Sequence, residues 1–178
     1  MVFSVIVLAH GAPCVGRSPA NRARADAAAR SLASLVDACV RGLAADALVL
    51  GPAGEGLDLV ADDAGGTFLA GPDPMKTFAQ ALAAARCEHV FVLAAGFAPE
   101  QGFVDEVADI FAFGEAADAM ILRAAPDTLL TRLAPGFAAP VGIIARKIAA
   151  QASGVCDPAA LARRLKGVDL RVRARRIG

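Results

Sequence analysis

The chain predicts a single α/β domain of three layers, with helices on both faces of a mostly parallel sheet. Three observations carry this. Apolar runs of strand length alternate with Ala-rich segments of helical period, the rhythm of strand–helix–strand units. The first run, FSVIVLA, is apolar at nearly every position rather than every second one, as suits a strand covered on both faces. The 178 residues suffice for one substantial core and are too few for two.

FSVIVLA is the first strand, and ARADAAARSLASLVDACVRGL reads as one long helix with Leu32, Leu35, Val36 and Cys39 on a common face. DALVLG is the second strand, GLDLVADDAG a short helix stopped by Gly65-Gly66, and TFLAG the third strand. In DPMKTFAQALAAAR, Asp73 is the expected N-cap and Pro74 the first helical residue, the positions where a carboxylate acceptor and a missing N–H are favoured. HVFVLAA is the fourth strand. Beyond it the rhythm loosens. VDEVADIFAF and DTLLTRLAP read as helices and AADAMILRAA as a strand, while APVGIIARKIAAQAS fits a strand or a helix. DPAALARRLKG is a capped helix, and DLRVRAR alternates like an edge strand. Residues 1–113 therefore form a nucleotide-binding type of half-sheet, and 114–178 an elaboration on the acceptor side.

Composition excludes several classes. Eighteen basic and eighteen acidic residues cancel, unlike a chain built as a whole to bind nucleic acid or an anionic membrane. Mean hydropathy is +0.52, but charges interrupt every long apolar stretch, so no transmembrane segment is expected. The start has neither a positive n-region nor a signal-length apolar run; a cytoplasmic location is expected. Cys14, Cys39, Cys87 and Cys156 show no CxxC or zinc spacing and read as buried free thiols. The basic C-terminus reads as a solvated helix face and strand before it reads as an anion site.

His10 and Gly11 follow the first strand, at the carboxyl edge where α/β sheets bind ligands; His10 reads equally as a ligand contact or a structural hydrogen-bond partner. GAPCVG matches neither the GxGxxG pattern nor the P-loop pattern. LGPAGEGL after the second strand is a turn able to approach a ligand, or an ordinary connection. His89 beside Glu88 suits a capping or surface role better than catalysis. At the fourth strand's end, where an enzyme would place carboxylates, stand Ala94, Ala95 and Gly96.

Taken together, FSVIVLA, the long helix, DALVLGPAGEG, ADDAGG, FAQALAAAR and HVFVLAAGFAPEQGF resemble, nearly end to end, the family-2 type glycosyltransferases of the GT-A, nucleotide-diphospho-sugar fold. The closing ARRLKGVDLRVRARR is similar to that family's last helix and strand. The resemblance implies a crevice for a nucleotide or sugar-nucleotide at His10, Gly11, Gly51, Glu55, Lys76 and Gly96, and leaving-group stabilisation by Arg163 and Arg164. It also marks departures. The family's base-holding aspartate falls on Leu50, its second acidic residue on Glu55, and its NAG asparagine on Ala79. Its metal motif falls on Ala94-Ala95-Gly96, so no metal cofactor is expected, since hard cations need oxygen ligands. Its catalytic base falls on Pro158, or on Asp157 after a slip of one residue.

These expectations describe a glycosyltransferase-like protein without the usual metal-dependent transfer. A second expectation, of another class, is a non-catalytic binding or scaffold protein that uses apolar surface, such as a ring of Phe111 or Phe113, for self-association as a homo-oligomer or for a partner. VIVLAHGAP is also similar to the opening of sirohydrochlorin-type chelatases; their second histidine has Phe103 at the comparable place.

Overall fold

The computed structural model describes residues 2–10, 20–113 and 118–177; Gly11, Cys14 and the GAPCVG segment lie outside the described residues. Eight strands form one sheet: β1 (Phe3–Leu8), β2 (Ala44–Gly51), β3 (Thr67–Ala70), β4 (His89–Ala94), β5 (Phe97–Pro99), β6 (Ala119–Ala124), β7 (Pro140–Arg146) and β8 (Val168–Arg176). Their order is β3-β2-β1-β4-β7-β6-β8-β5. The pairs β1–β2, β1–β4, β2–β3 and β6–β8 are parallel, while β7 runs antiparallel to β4 and β6, and β5 antiparallel to β8. The expected mostly parallel α/β architecture is the one observed.

Strand alternation divides the core into two. Phe3, Val5 and Val7 of β1 and Phe91 and Leu93 of β4 face a cluster that includes Leu32, Leu35, Leu57, Phe103 and Val107. These come from α1 (Ala20–Ala33), the turn after it, α3 (Leu57–Asp63) and α5 (Phe103–Phe113). Ile6, Leu8, Val90 and Val92 point the other way, to Phe78, Leu82, Ala150 and Leu161 of α4 (Pro74–Ala84), α7 (Lys147–Ser153) and α8 (Pro158–Leu165). The period of two thus sends consecutive apolar residues into opposite layers. Phe91 anchors the first cluster, its ring 5.8 Å from Phe3 and 5.1 Å from Phe103, contacts worth about 0.5–1.5 kcal/mol each beyond area burial.

Four expectations are corrected. The long helix is two: α1 stops at Ala33 and α2 spans Val36–Val40. Between them the Ser34 hydroxyl donates to the Ser31 carbonyl at 2.6 Å and the Leu35 amide to Leu32 at 2.9 Å, local bonds that compete with the α-helical ladder. The strand-or-helix segment is both, β7 then α7, the latter ending at Gly154 with φ +65°. β8 is not an edge strand; it lies between β6 and the short β5, which carries the edge and tolerates Pro99 there. The cysteines are not uniformly buried: Cys39 is exposed, and Cys87 and Cys156 are half-buried free thiols.

β8 also carries a bulge. Ile121 pairs with Asp169 but Arg123 with Arg173, and the Glu106 carboxylate accepts from the freed amides of Arg171 (2.7 Å) and Val172 (3.0 Å). One side chain from α5 thus satisfies the donors that the bulge removes from the ladder. A short helix, α6 (Leu129–Leu133), precedes β7. Phe113 is 82% exposed, whereas Phe111 is half-buried with its ring 5.6 Å from that of His89.

A candidate nucleotide crevice at the carboxyl edge of the sheet

The carboxyl ends of β1, β2, β3 and β4 open onto one edge, where crevices form in such sheets. His10 sits just beyond β1, and its Nε2 bonds the Gly71 carbonyl at 3.1 Å. Because a carbonyl only accepts, Nε2 is the donor; Nδ1 is buried without a hydrogen-bond partner among the described residues. His10 thereby ties the end of β1 to the end of β3.

Two residues beyond Gly71, Asp73 caps α4, its Oδ1 accepting from the amides of Met75 (3.0 Å) and Lys76 (3.3 Å). Asp157 caps α8 in the same way, through Oδ2 from Ala160 at 3.0 Å. Each cap leaves one carboxylate oxygen uncommitted to the helix. The Cys156 thiol is pushed up by burial first, then by the charge of Asp157 and, more weakly, by that of Asp73. Both carboxylates thus act on the Cys156 thiol, and exposed Lys76 lies with Asp73 at the start of α4.

On the other flank, α1 supplies Arg24, whose Nη1 meets Glu55 Oε1 at 2.5 Å. Glu55 lies on the loop after β2 with only 11% of its side chain exposed, and its Oε2 has no hydrogen-bond partner among the described residues. Gly96 completes this flank in a turn between β4 and β5 with φ +88°. Its amide is directed at Ser31 Oγ (3.0 Å) and the Ala27 carbonyl (3.3 Å) of α1, and its carbonyl accepts from Ile177 at 2.9 Å.

The residues named from sequence fare unequally. His10 bonds Gly71 just ahead of α4, Lys76 lies in the first turn of α4 and Asp157 caps α8, while Glu55 and Gly96 both engage α1. Gly51 is buried, and a Cβ there would lie 2.3 Å from Leu57 Cδ1, so its small size serves packing. Arg163 and Arg164 lie in the last turn of α8, at the opposite end from Asp157. Leu50 is fully buried, and Ala79 lies exposed on α4. His89 is neither cap nor surface residue: it is 9% exposed, and burial is the first cause that lowers its pKa. Sequence reasoning missed Cys156 as a neighbour of both caps, and the Arg24–Glu55 pair; the acidic residue was legible, but its partner lies 31 positions away.

The residues at 94–96 do not fit a cation. The side chains of Ala94 and Ala95 carry no donor atom, Ala95 is 1% exposed in the core, and the backbone groups of Gly96 are engaged as above. Among the described residues, no three His, Cys, Asp or Glu side chains come together in a metal-binding group.

No protein-family model matches the sequence, and no curated protein matches it. Solved structures do. HddC from Yersinia pseudotuberculosis aligns over 94% of this chain and 88% of its own, with 13% identity and a TM-score of 0.56. The 2-C-methyl-D-erythritol 4-phosphate cytidylyltransferase from Thermus thermophilus aligns over 96% and 88%, with 23% identity and a TM-score of 0.51. The fold is that of the nucleotide-diphospho-sugar transferases. Glucosyl-3-phosphoglycerate synthase from Mycobacterium tuberculosis, solved with Mn2+, UDP and phosphoglyceric acid, shares it over 83% of this chain with 15% identity and a TM-score of 0.51. This chain spans 56% of that synthase and 50% of the bifunctional IspDF from Campylobacter jejuni. In this nucleotide-diphospho-sugar transferase fold, no described helix is long and apolar enough to cross a membrane.

Proposed function

We propose that the chain is a glycosyltransferase-like cytoplasmic protein that binds a nucleotide or sugar-nucleotide at the carboxyl edge of β1–β4 and has lost metal-dependent transfer. The observation that carries the reading is the end of β4. There the side chains of Ala94 and Ala95 offer no oxygen, and the Gly96 carbonyl already accepts from Ile177, so a diphosphate bound beside it gains no protein-held cation. Lys76, exposed at the first turn of α4, is the cation placed to meet the phosphates. Gly11 belongs to the proposed site by its position after His10. Asp157, with one carboxylate oxygen free of its capping bond, is the base that any remaining transfer would use. The proposal does not use Arg163 and Arg164, which lie in the last turn of α8, the end opposite Asp157.

Isothermal titration with UDP-, GDP- and CDP-sugars tests this. Binding of at least one, weakened by Lys76→Met, is the expected result; no heat with any of them refutes it. A second reading, a non-catalytic binding protein that self-associates through apolar surface, is favoured by the exposed ring of Phe113. It requires an oligomer that Phe113→Ser dissociates in sedimentation velocity.

A further inference from the structure

Away from the crevice residues discussed above, the bulge in β8 sets Arg173 directly opposite Arg123 on the parallel neighbour β6. Adjacent strands lie about 4.8 Å apart, and like charges directly opposite are destabilising unless something compensates them. Both side chains point away from the cluster that takes Leu122, Leu170 and Ala174, as alternation along the strands requires.

Their surroundings differ. Arg123 is held: its Nε donates to Asp169 Oδ1 at 2.8 Å and its Nη1 to the Ala138 carbonyl at 2.8 Å, with 19% of the side chain exposed. Arg173 has no ion-pair partner among the described residues, and its Nη1 is buried without a hydrogen-bond partner. A buried guanidinium N–H without an acceptor costs more than an ordinary unmade bond, because the group is charged. Arg175, two residues on and on the same side of β8, is exposed. Four guanidinium groups, counting that of exposed Arg171, therefore share one side of β6–β8 with one paired carboxylate, that of Asp169.

We propose that Arg123 and Arg173 form an anion site for a phosphate group, with Arg175 at its rim. Planar forks of N–H donors match phosphate oxygens two at a time, and Arg123, locked by Asp169 and Ala138, is pre-organised to present its remaining nitrogen. The excess of positive charge suits a phosphate monoester or free phosphate rather than a neutral sugar. The inference is independent of nucleotide binding, since none of the crevice residues takes part.

The test is isothermal titration of the full chain, at matched ionic strength, with inorganic phosphate, glucose 6-phosphate and glucose. Wild type binds the two phosphates and not glucose. Tighter binding of glucose 6-phosphate assigns the site to a phosphorylated metabolite, and equal affinities to the free ion. Arg173→Met weakens phosphate at least about tenfold, the loss of one charge-assisted bond, while Arg173→Lys, which keeps the charge but not the fork, falls between. Arg164→Met, at an exposed position of α8, binds as wild type. Without ligand, Arg173→Met melts no lower than wild type, because it removes a charge that nothing pairs. Absence of phosphate binding by the wild type overturns the proposal, and so does phosphate affinity unchanged in both Arg173 variants.

Discussion

Replacing Gly96 with alanine tests the geometry of the β4–β5 turn. Its φ of +88° lies in the left-handed region, where a Cβ crowds the backbone at a cost of about 1–2 kcal/mol. Sterics beyond the residue add nothing: the atom nearest to an added methyl, Ala27 Cβ, would be 3.7 Å away, an ordinary contact. The three backbone bonds of Gly96 can all persist. The predicted loss is therefore the conformational cost alone, about 1–2 kcal/mol, partly offset by the lower entropy of the unfolded chain. For a chain of this size each kcal/mol shifts Tm by about 2–4 °C. Urea unfolding followed by circular dichroism, with an unchanged slope, measures it. Gly96→Asn should cost less, because asparagine tolerates this region better. A neutral Gly96→Ala, or asparagine no better than alanine, would mean that the turn does not hold residues 94–96 as described.

Other substitutions probe other parts. Gly167→Ala should destabilise by more than Gly96→Ala in the same assay, because its Cβ would fall 2.4 Å from the Ala119 carbonyl oxygen and the backbone of β6 or β8 must shift. Asp157→Ala should cost about 1 kcal/mol as a lost N-cap while Asp157→Asn keeps the stability; if sugar-nucleotide turnover is detected, Asn should abolish it, and unaltered turnover would remove Asp157 as the base. His89 has its pKa lowered by burial, so the unfolded chain takes up a proton first as pH falls. Its contribution is complete above the unfolded value, about 6.5, and is lost as pH drops from there toward the folded pKa. His89→Leu should flatten that part of the stability–pH curve.

The parallel half of the fold was legible because each element there carries its own punctuation: Asp73-Pro74 opens α4, Gly65-Gly66 closes α3, and the runs of β1 and β4 are apolar on both faces. The failures lie where punctuation is absent. No glycine or proline marks the break at Ser34-Leu35, which is made by hydroxyl and amide bonds visible only in three dimensions. Nothing separates Arg146 from Lys147, where strand becomes helix. β5 is three residues long with a proline, too short to show alternation, and its missing pairing made β8 look like an edge. At the carboxyl edge of the sheet, strand ends were legible and side-chain use was not. Gly51 is small because Leu57 needs its space, Glu55 answers to Arg24, and Asp157 is taken as the cap of α8, with Arg163 and Arg164 at that helix's other end.

The central claim, a nucleotide crevice that works without a cation at the end of β4, is tested most directly by titrating the best-bound sugar-nucleotide into the protein twice, with millimolar manganese and with EDTA. The account predicts the same affinity in both, within about twofold, a difference of roughly 0.4 kcal/mol. Binding that appears only with manganese would contradict it and restore a metal-holding role to residues near Ala94-Ala95-Gly96.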